Sequence, residues 1–208
     1  MGKPYNYNHF ANIYSQTRTC APWLVNILKN EFAKLKPGTE IIEIGCGTGN
    51  YAIELSNIFP DINFRGFDLS EEMLKIARSR TDKVEFARGN ADLKFPYTNS
   101  TADAVFLVDV IHHIVDYKNF FNECKRVLKP GGILIISTDT EDDFRNRSGI
   151  KFFPETLEVE RERYPTLNEL NIHSENSDLK FITKESITGT YEINDTMFNE
   201  AGNIAYSM

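Results

Sequence analysis

Two acids and three glycines carry the clearest chemistry in this 208-residue chain. The run Ile41-Ile42-Glu43-Ile44-Gly45-Cys46-Gly47-Thr48-Gly49-Asn50 opens on β-branched apolar residues, the composition of a buried strand. It breaks into glycines at alternate positions and resumes as Tyr51-Ala52-Ile53-Glu54-Leu55, which reads as a helix. A strand, a glycine turn and a helix together aim backbone N–H groups at a ligand. Glycine suits the turn because a Cβ would hold a ligand off the backbone and because tight turns require φ > 0. The second acid, Asp68, follows Gly49 by 19 residues and closes a predicted strand, Ile62 to Phe67. A carboxylate at that strand end can accept hydrogen bonds from both hydroxyls of a ribose. Its competing use is to cap the helix predicted over Glu71 to Arg80, a task Ser70 can perform alone.

Spacing narrows the ligand. A dinucleotide fingerprint would place its third glycine at position 50, where this chain has Asn50; the third glycine arrives one residue early, at Gly49. Glu43-x-Gly45-x-Gly47-x-Gly49 instead resembles motif I of class I S-adenosylmethionine-dependent methyltransferases. That resemblance implies cofactor contacts from Glu43, Gly45, Cys46, Gly47 and Gly49, and from Asp68 and Leu69 at the next strand. It also implies that Glu43 orients the loop or receives the cofactor's ammonium group.

The chain in between continues the resemblance. Val84 to Arg88 reads as a third strand, followed by Gly89-Asn90-Ala91-Asp92-Leu93-Lys94-Phe95-Pro96. This is similar to the family segment Gly-Asp-Ala-x-x-Leu-Pro-Phe, whose acid faces the adenine amino group. Asn90 stands in that place and one residue is missing before Leu93. The adenine contact is therefore open between Asn90 and Asp92, with Ala91 between them; either residue serves equally well as a turn former. Asp103 to Asp109 is the fourth predicted strand and runs into Val110-Ile111-His112-His113-Ile114. The family carries an apolar-His-His-apolar sequence here, beside the transferable methyl. Asp109 is thus expected at the cofactor, and Asp109, His112 and His113 are the candidates for catalysis. Adjacent histidines on a helix point in different directions and cannot chelate one metal in the i, i+4 manner, so no metal is expected. Phe120 to Leu128 is amphipathic, Lys129-Pro130-Gly131-Gly132 is a turn, and Ile133 to Thr138 is the fifth strand.

Alternating strands and helices predict an α/β fold: a doubly wound, mostly parallel Rossmann-like sheet with helices on both faces. The motif I glycines, Asp68 and Asn90 each follow a strand, so all fall on one edge of that sheet. Residues 1–36 are expected to form a helical cover, residues 37–138 the cofactor-binding core, and residues 139–208 the substrate side of a single domain. Within the cover, Phe10, Ile13, Tyr14 and Thr17 fall at helical spacing. Phe10-Ala11-x-x-Tyr14-x-x-x-Arg18 resembles the family segment that folds over the cofactor, with Tyr14 and Arg18 near its amino-acid end; the other use of this stripe is to cover the sheet. Pro22 opens a second helix that buries Leu24, Ile27, Leu28, Phe32 and Leu35. Beyond Thr138 the pattern thins. A charged helix over Glu155 to Arg163, a helix start at Thr166 to Leu170 and a strand over Ile187 to Ile193 are expected. With one strand legible there, the sheet is expected to have six strands rather than the family's seven, as in a short or truncated member. Phe144, Phe152, Phe153 and Tyr164 are read as pocket liners or core cover.

A formal net charge of −7 offers no bulk attraction for nucleic acid. No apolar run approaches a membrane span, and the N-terminus lacks a secretory h-region. Three widely spaced cysteines, Cys20, Cys46 and Cys124, suit neither a disulfide framework nor a zinc site and point to a reduced cytoplasmic compartment. The partner implied is a small-molecule acceptor; the oligomeric state is not legible. Two rivals stand beside methyl transfer from S-adenosylmethionine to give S-adenosylhomocysteine. One is an NAD-dependent oxidoreductase, disfavoured by Asn50, and the other a non-catalytic cofactor-binding protein.

Overall fold

The computed structural model describes residues 11–140 and 163–180. Five strands form one wholly parallel sheet: β1 (Glu40–Ile44), β2 (Asn63–Asp68), β3 (Val84–Arg88), β4 (Ala102–Val108) and β5 (Leu128–Ser137), in the order β3-β2-β1-β4-β5. The order reverses between β1 and β4. That reversal is the switch point at which open α/β sheets bind ligands, at the carboxyl ends of the strands.

Period-two alternation builds a core on each face. Ile42, Ile44, Phe67, Val105 and Leu107 point to one face, where they meet Phe120, Phe121, Cys124 and Val127 of α5 (Tyr117–Val127). Ile41, Phe64, Ala104 and Phe106 point to the other. There they meet α2 (Pro22–Phe32), α3 (Asn50–Ile58) and α4 (Glu71–Arg80) through Leu24, Leu28, Phe32, Ala52, Leu55, Leu74 and Ala77. Glu43 shares its face with Ile41, so the alternation that buries the strand also buries this acid beneath α3.

Two further helices are α1 (Ala11–Thr17), which lies against α4, and α6 (Leu167–Glu175), which packs on α5. Thr166 opens α6 with a reciprocal capping box: its hydroxyl accepts the Glu169 N–H while the Glu169 carboxylate accepts the Thr166 N–H. Among the described residues no helix is long and apolar enough to cross a membrane.

The structure corrects two local readings. Lys129-Pro130-Gly131-Gly132 belongs to β5 rather than to a turn before it: Leu128 pairs with Ala102, and the register slips before Ile133 pairs with Ala104. A proline is tolerated there because β5 is the edge of the five described strands and the slip relieves the ladder. His112 and His113 lie in a single 3₁₀ turn, Ile111–His113, rather than on a helix. The readings at Phe144, Phe152, Phe153, most of Glu155 to Arg163, and Ile187 to Ile193, with the six-strand expectation that depends on the last, lie outside the described residues.

Candidate functional site

Gly45, Gly47 and Gly49 have φ of 64°, 52° and 79°, so all three occupy the left-handed region that an L side chain rarely adopts. At two of them the space is taken by protein. A Cβ on Gly45 would stand 2.5 Å from Val110 Cγ2, and one on Gly49 would stand 2.7 Å from Phe86 Cζ. The turn is therefore pressed between the exit of β4 and the middle of β3. Glycine at 45 and 49 lets strands close on one another, a role distinct from the ligand approach expected of them.

Both acids singled out in the sequence hold this turn. Glu43 is 3% exposed, and its Oε2 accepts the Ala52 N–H at 2.9 Å in the first turn of α3. Of the two roles expected for it, orienting the loop is the one on view. Burial pushes its carboxyl up to about 8, with the Asp68 charge adding to the effect. Asp68 Oδ2 accepts the Gly47 N–H at 2.9 Å and Oδ1 accepts the Ser70 N–H at 2.8 Å. Burial raises this carboxyl as well, opposed by the backbone N–H groups it accepts from. Capping of α4 falls to Ser70, whose hydroxyl accepts the Met73 N–H at 3.3 Å. Next to Asp68 the Leu69 side chain is 50% exposed at the sheet edge, an apolar surface left open. Cys46 is buried and its thiol is raised well above the ordinary range by that burial, which leaves it an inert packing group.

After β3, Asn90 and Asp92 divide their work. Asn90 Oδ1 accepts the Asp92 N–H at 2.9 Å, closing the loop on itself. Asp92 Oδ1 accepts from the Val115 and Asp116 N–H groups at 2.6 and 3.0 Å, while its carbonyl accepts from Asn119 Nδ2 at 2.8 Å. Asp92 thus ties the loop after β3 to the start of α5. Ala91, between them, is half-buried and packs on the core beneath.

After β4 the chemistry changes. Asp109 is exposed, takes φ of 55°, and donates its N–H to the Ser137 carbonyl at 2.9 Å. Aspartate is among the residues that tolerate this conformation. His113 lies with its ring centroid 4.0 Å from that of His112, and Tyr164 stacks on His112 at 4.3 Å and 25°. The two imidazoles lie side by side rather than pointing apart as expected. Burial, with contributions from the neighbouring histidine and Arg163, lowers His112 to about 3; burial and Arg163 lower His113 to about 4. Both rings are neutral at physiological pH. His112 Nδ1 is buried without a hydrogen-bond partner.

The segment after α1 is anchored to the same turn. Asn50 Nδ2 donates to the Arg18 carbonyl at 3.0 Å, and the Ala21 N–H donates to Tyr51 Oη at 3.0 Å. Arg80 donates to the Thr48 carbonyl at 2.7 Å. Tyr14 lies in α1, and its side chain is outside what the structure describes. The edge thus gathers Glu43, the three glycines, Cys46, Asp68, Leu69, Asn90, Asp109, His112, His113 and the Arg18 backbone. Sequence reasoning missed the anchoring roles of Tyr51 and Val110, for which no spacing signal exists. It named Tyr164 without placing it.

The donor set discriminates between ligands. The amides of Gly47 and Ala52, which a phosphate would use at a turn and helix N-terminus, are already taken by carboxylates. With those two amides occupied and the Asp68 carboxyl beside the turn, the arrangement suits a cation better than an anion. Residues 42–136 match the family model described as a methyltransferase domain. Over these residues the core is similar to methyltransferase domains. Over 107 residues the chain is 33% identical to a demethylmenaquinone methyltransferase from Bacillus cytotoxicus, covering 49% of this chain and 45% of that protein. Over 100 residues it is 38% identical to a malonyl-[acyl-carrier protein] O-methyltransferase from Hahella chejuensis, covering 48% and 36%. The chain spans less than half the length of these relatives. A solved SAM-dependent methyltransferase from Thermotoga maritima superposes with a TM-score of 0.59 at 26% identity, covering 82% of this chain and 78% of that one. One from Aquifex aeolicus shares the methyltransferase fold at a TM-score of 0.58 and 24% identity, covering 74% and 78%.

Proposed function

We propose that the chain transfers the methyl group of S-adenosylmethionine to a small-molecule acceptor and releases S-adenosylhomocysteine. The observation that carries this reading is the pair of acids, Glu43 and Asp68, bonded to the amides of Ala52 in the first turn of α3 and of Gly47 in the glycine turn, at the switch point of the sheet. They occupy two amides that a phosphate would use, and the cofactor has no phosphate. Its sulfonium methyl supplies the reactive centre when bound, so the chain's task is to bind, align and exclude water.

Each residue has a role under this reading. Asp68 has lone pairs left after its two backbone bonds and accepts from the ribose hydroxyls. Leu69 covers one face of the adenine. Asn90 offers its amide to the adenine edge, because Asp92 is committed to the loop at 115–116. Tyr14 and Arg18 lie toward the amino-acid end. Asp109, His112 and His113 border the acceptor. With both imidazoles held neutral and weakly basic, they position an acceptor that is already nucleophilic rather than strip a proton from it. Support for a small acceptor comes from the relatives, whose named substrates are demethylmenaquinone and a malonyl group on its carrier.

Mass spectrometry of the purified protein should find S-adenosylmethionine or S-adenosylhomocysteine carried through purification. Calorimetric titration should show both binding and NAD failing to bind; NAD binding alone would make the chain an oxidoreductase. Asp68→Asn removes one charged acceptor and should weaken cofactor affinity about 10- to 100-fold, the equivalent of ~1.5–3 kcal/mol. Full affinity in that variant sinks the ribose assignment. Turnover against a metabolite panel separates an enzyme from a non-catalytic binder.

A further inference from the structure

Glu43 is sealed at 3% exposure, whereas Asp68 on the neighbouring strand is only partly covered. None of the ion pairs among the described residues includes Glu43. The groups facing it come from four elements. Asp68 lies at the end of β2, Cys46 in the turn, Tyr51 on α3, and Cys20 on the segment after α1. Burial pushes Cys20 and Tyr51 up to about 12 and raises Cys46, so all three are neutral. Arg78 and Arg80, cations that act on Cys46 and Cys20 respectively, are hydrogen-bonded to the Phe86 and Thr48 carbonyls. That leaves Asp68 as the acid that shares the turn with Glu43, and two like charges this close disfavour one another.

We propose that Glu43 is the residue by which the site tells methyl donor from demethylated product: it gives up a proton when the sulfonium charge settles on the glycine turn and recovers one when the methyl has left. The inference rests on the reading of this edge as an S-adenosylmethionine pocket. Donor and product share the adenosyl group and the zwitterionic amino-acid end, and they differ by one positive charge at sulfur. A cation placed in a poorly solvated site favours the carboxylate form of a nearby acid, and a thioether does not. The cycle balances. The Glu43 carboxyl proton passes to solvent as the donor binds. In transfer, the acceptor's lone pair forms the new bond to methyl, and the breaking C–S bond leaves its electron pair on sulfur. Solvent then returns a proton to Glu43 beside the neutral product, which loses the attraction that held the donor.

Calorimetry in buffers of differing ionisation enthalpy reads the protons released per ligand bound. With Glu43 near 8 in the free protein, wild type at pH 7.5 should release about half a proton or more per S-adenosylmethionine and markedly less per S-adenosylhomocysteine. The affinity ratio of donor to product should rise about tenfold from pH 6 to pH 9. Glu43→Gln keeps an oxygen for the Ala52 N–H and should erase the donor–product difference; subtracting it removes any proton carried by the cofactor's own amine. Equal proton counts in wild type and Glu43→Gln overturn the proposal. Carboxyl ¹³C spectroscopy of wild type alone decides the matter should the variant not fold. The Glu43 signal should titrate at lower pH in the donor complex than in the product complex, and coincident titrations overturn it. If neither ligand binds, the assignment of the pocket fails, an outcome distinct from binding without proton release.

Discussion

The two halves of the candidate site are built on opposite principles. Around β1 and β2, carboxylates reach back to backbone amides: Glu43 to Ala52 and Asp68 to Gly47 and Ser70. Around the exit of β4, neutral rings pack on one another: His113 on His112, and His112 on Tyr164. The first half is acidic, rigid by hydrogen bonding and suited to a cation. The second is uncharged, shaped by stacking, and holds an unpaired polar atom at His112 Nδ1. Val110 joins them, since its side chain lies against Gly45 while its carbonyl accepts the His113 N–H. Under the proposed reading, donor binding and acceptor binding fall to different physics within one sheet edge.

The sharpest way to break this contrast is pH, because the two halves respond with opposite sign. Glu43 is raised from its ordinary value to about 8 on folding, so the native state holds its proton more tightly than the unfolded state. Stability is full below about 4.5 and is lost as pH rises toward 8. His112 and His113 are lowered to about 3 and 4, so their contribution is full above about 6.5 and is lost as pH falls. Urea unfolding across pH should show both losses. Glu43→Gln should remove the alkaline loss, a change on the order of 3–5 kcal/mol at most, since each tenfold tightening of proton binding on folding is worth ~1.4 kcal/mol. A variant that keeps the wild-type slope between pH 5 and 8 would show that Glu43 is not held protonated.

The contrast was unequally legible in the sequence. Everything around β1 and β2 is local: Glu43 lies nine residues from the amide it holds, and strand alternation alone puts it beneath α3. Glu71–Arg80 and Val84–Arg88 formed where capping and alternation placed them. The histidine half was read less well. Its decisive partner, Tyr164, lies 51 residues beyond His113 and is delivered by the approach to α6, which no periodicity near His112 announces. Asp92 was open to an adenine contact for the same reason, because its partners at 115 and 116 are brought by tertiary folding. The turn reading of Lys129 to Gly132 failed where pairing with β4 overrode glycine and proline propensity.

The join between the halves can be loosened next. Gly45→Ala forces a Cβ into the left-handed region at 2.5 Å from Val110 Cγ2. It should cost about 2–3 kcal/mol, combining ~1 kcal/mol of backbone strain with overpacking. Val110→Ala in the same chain should return the overpacking part and leave the strain. A double-mutant cycle measured by chemical unfolding checks this, and strict additivity would separate the turn from the β4 exit.

The smallest effect expected is the most diagnostic of the aromatic half. His112→Phe keeps the stack on Tyr164 and deletes the unpaired Nδ1. Removing a buried polar atom that lacks a partner should stabilise the fold by about 1 kcal/mol, read as a shift in the unfolding midpoint. If that nitrogen is kept for the acceptor, the same variant should raise the acceptor KM while leaving S-adenosylmethionine affinity within about twofold, since a site built to hydrogen-bond loses most when its polar group goes. A variant that is more stable and equally active would mark His112 as packing alone and move acceptor recognition to Asp109 and His113.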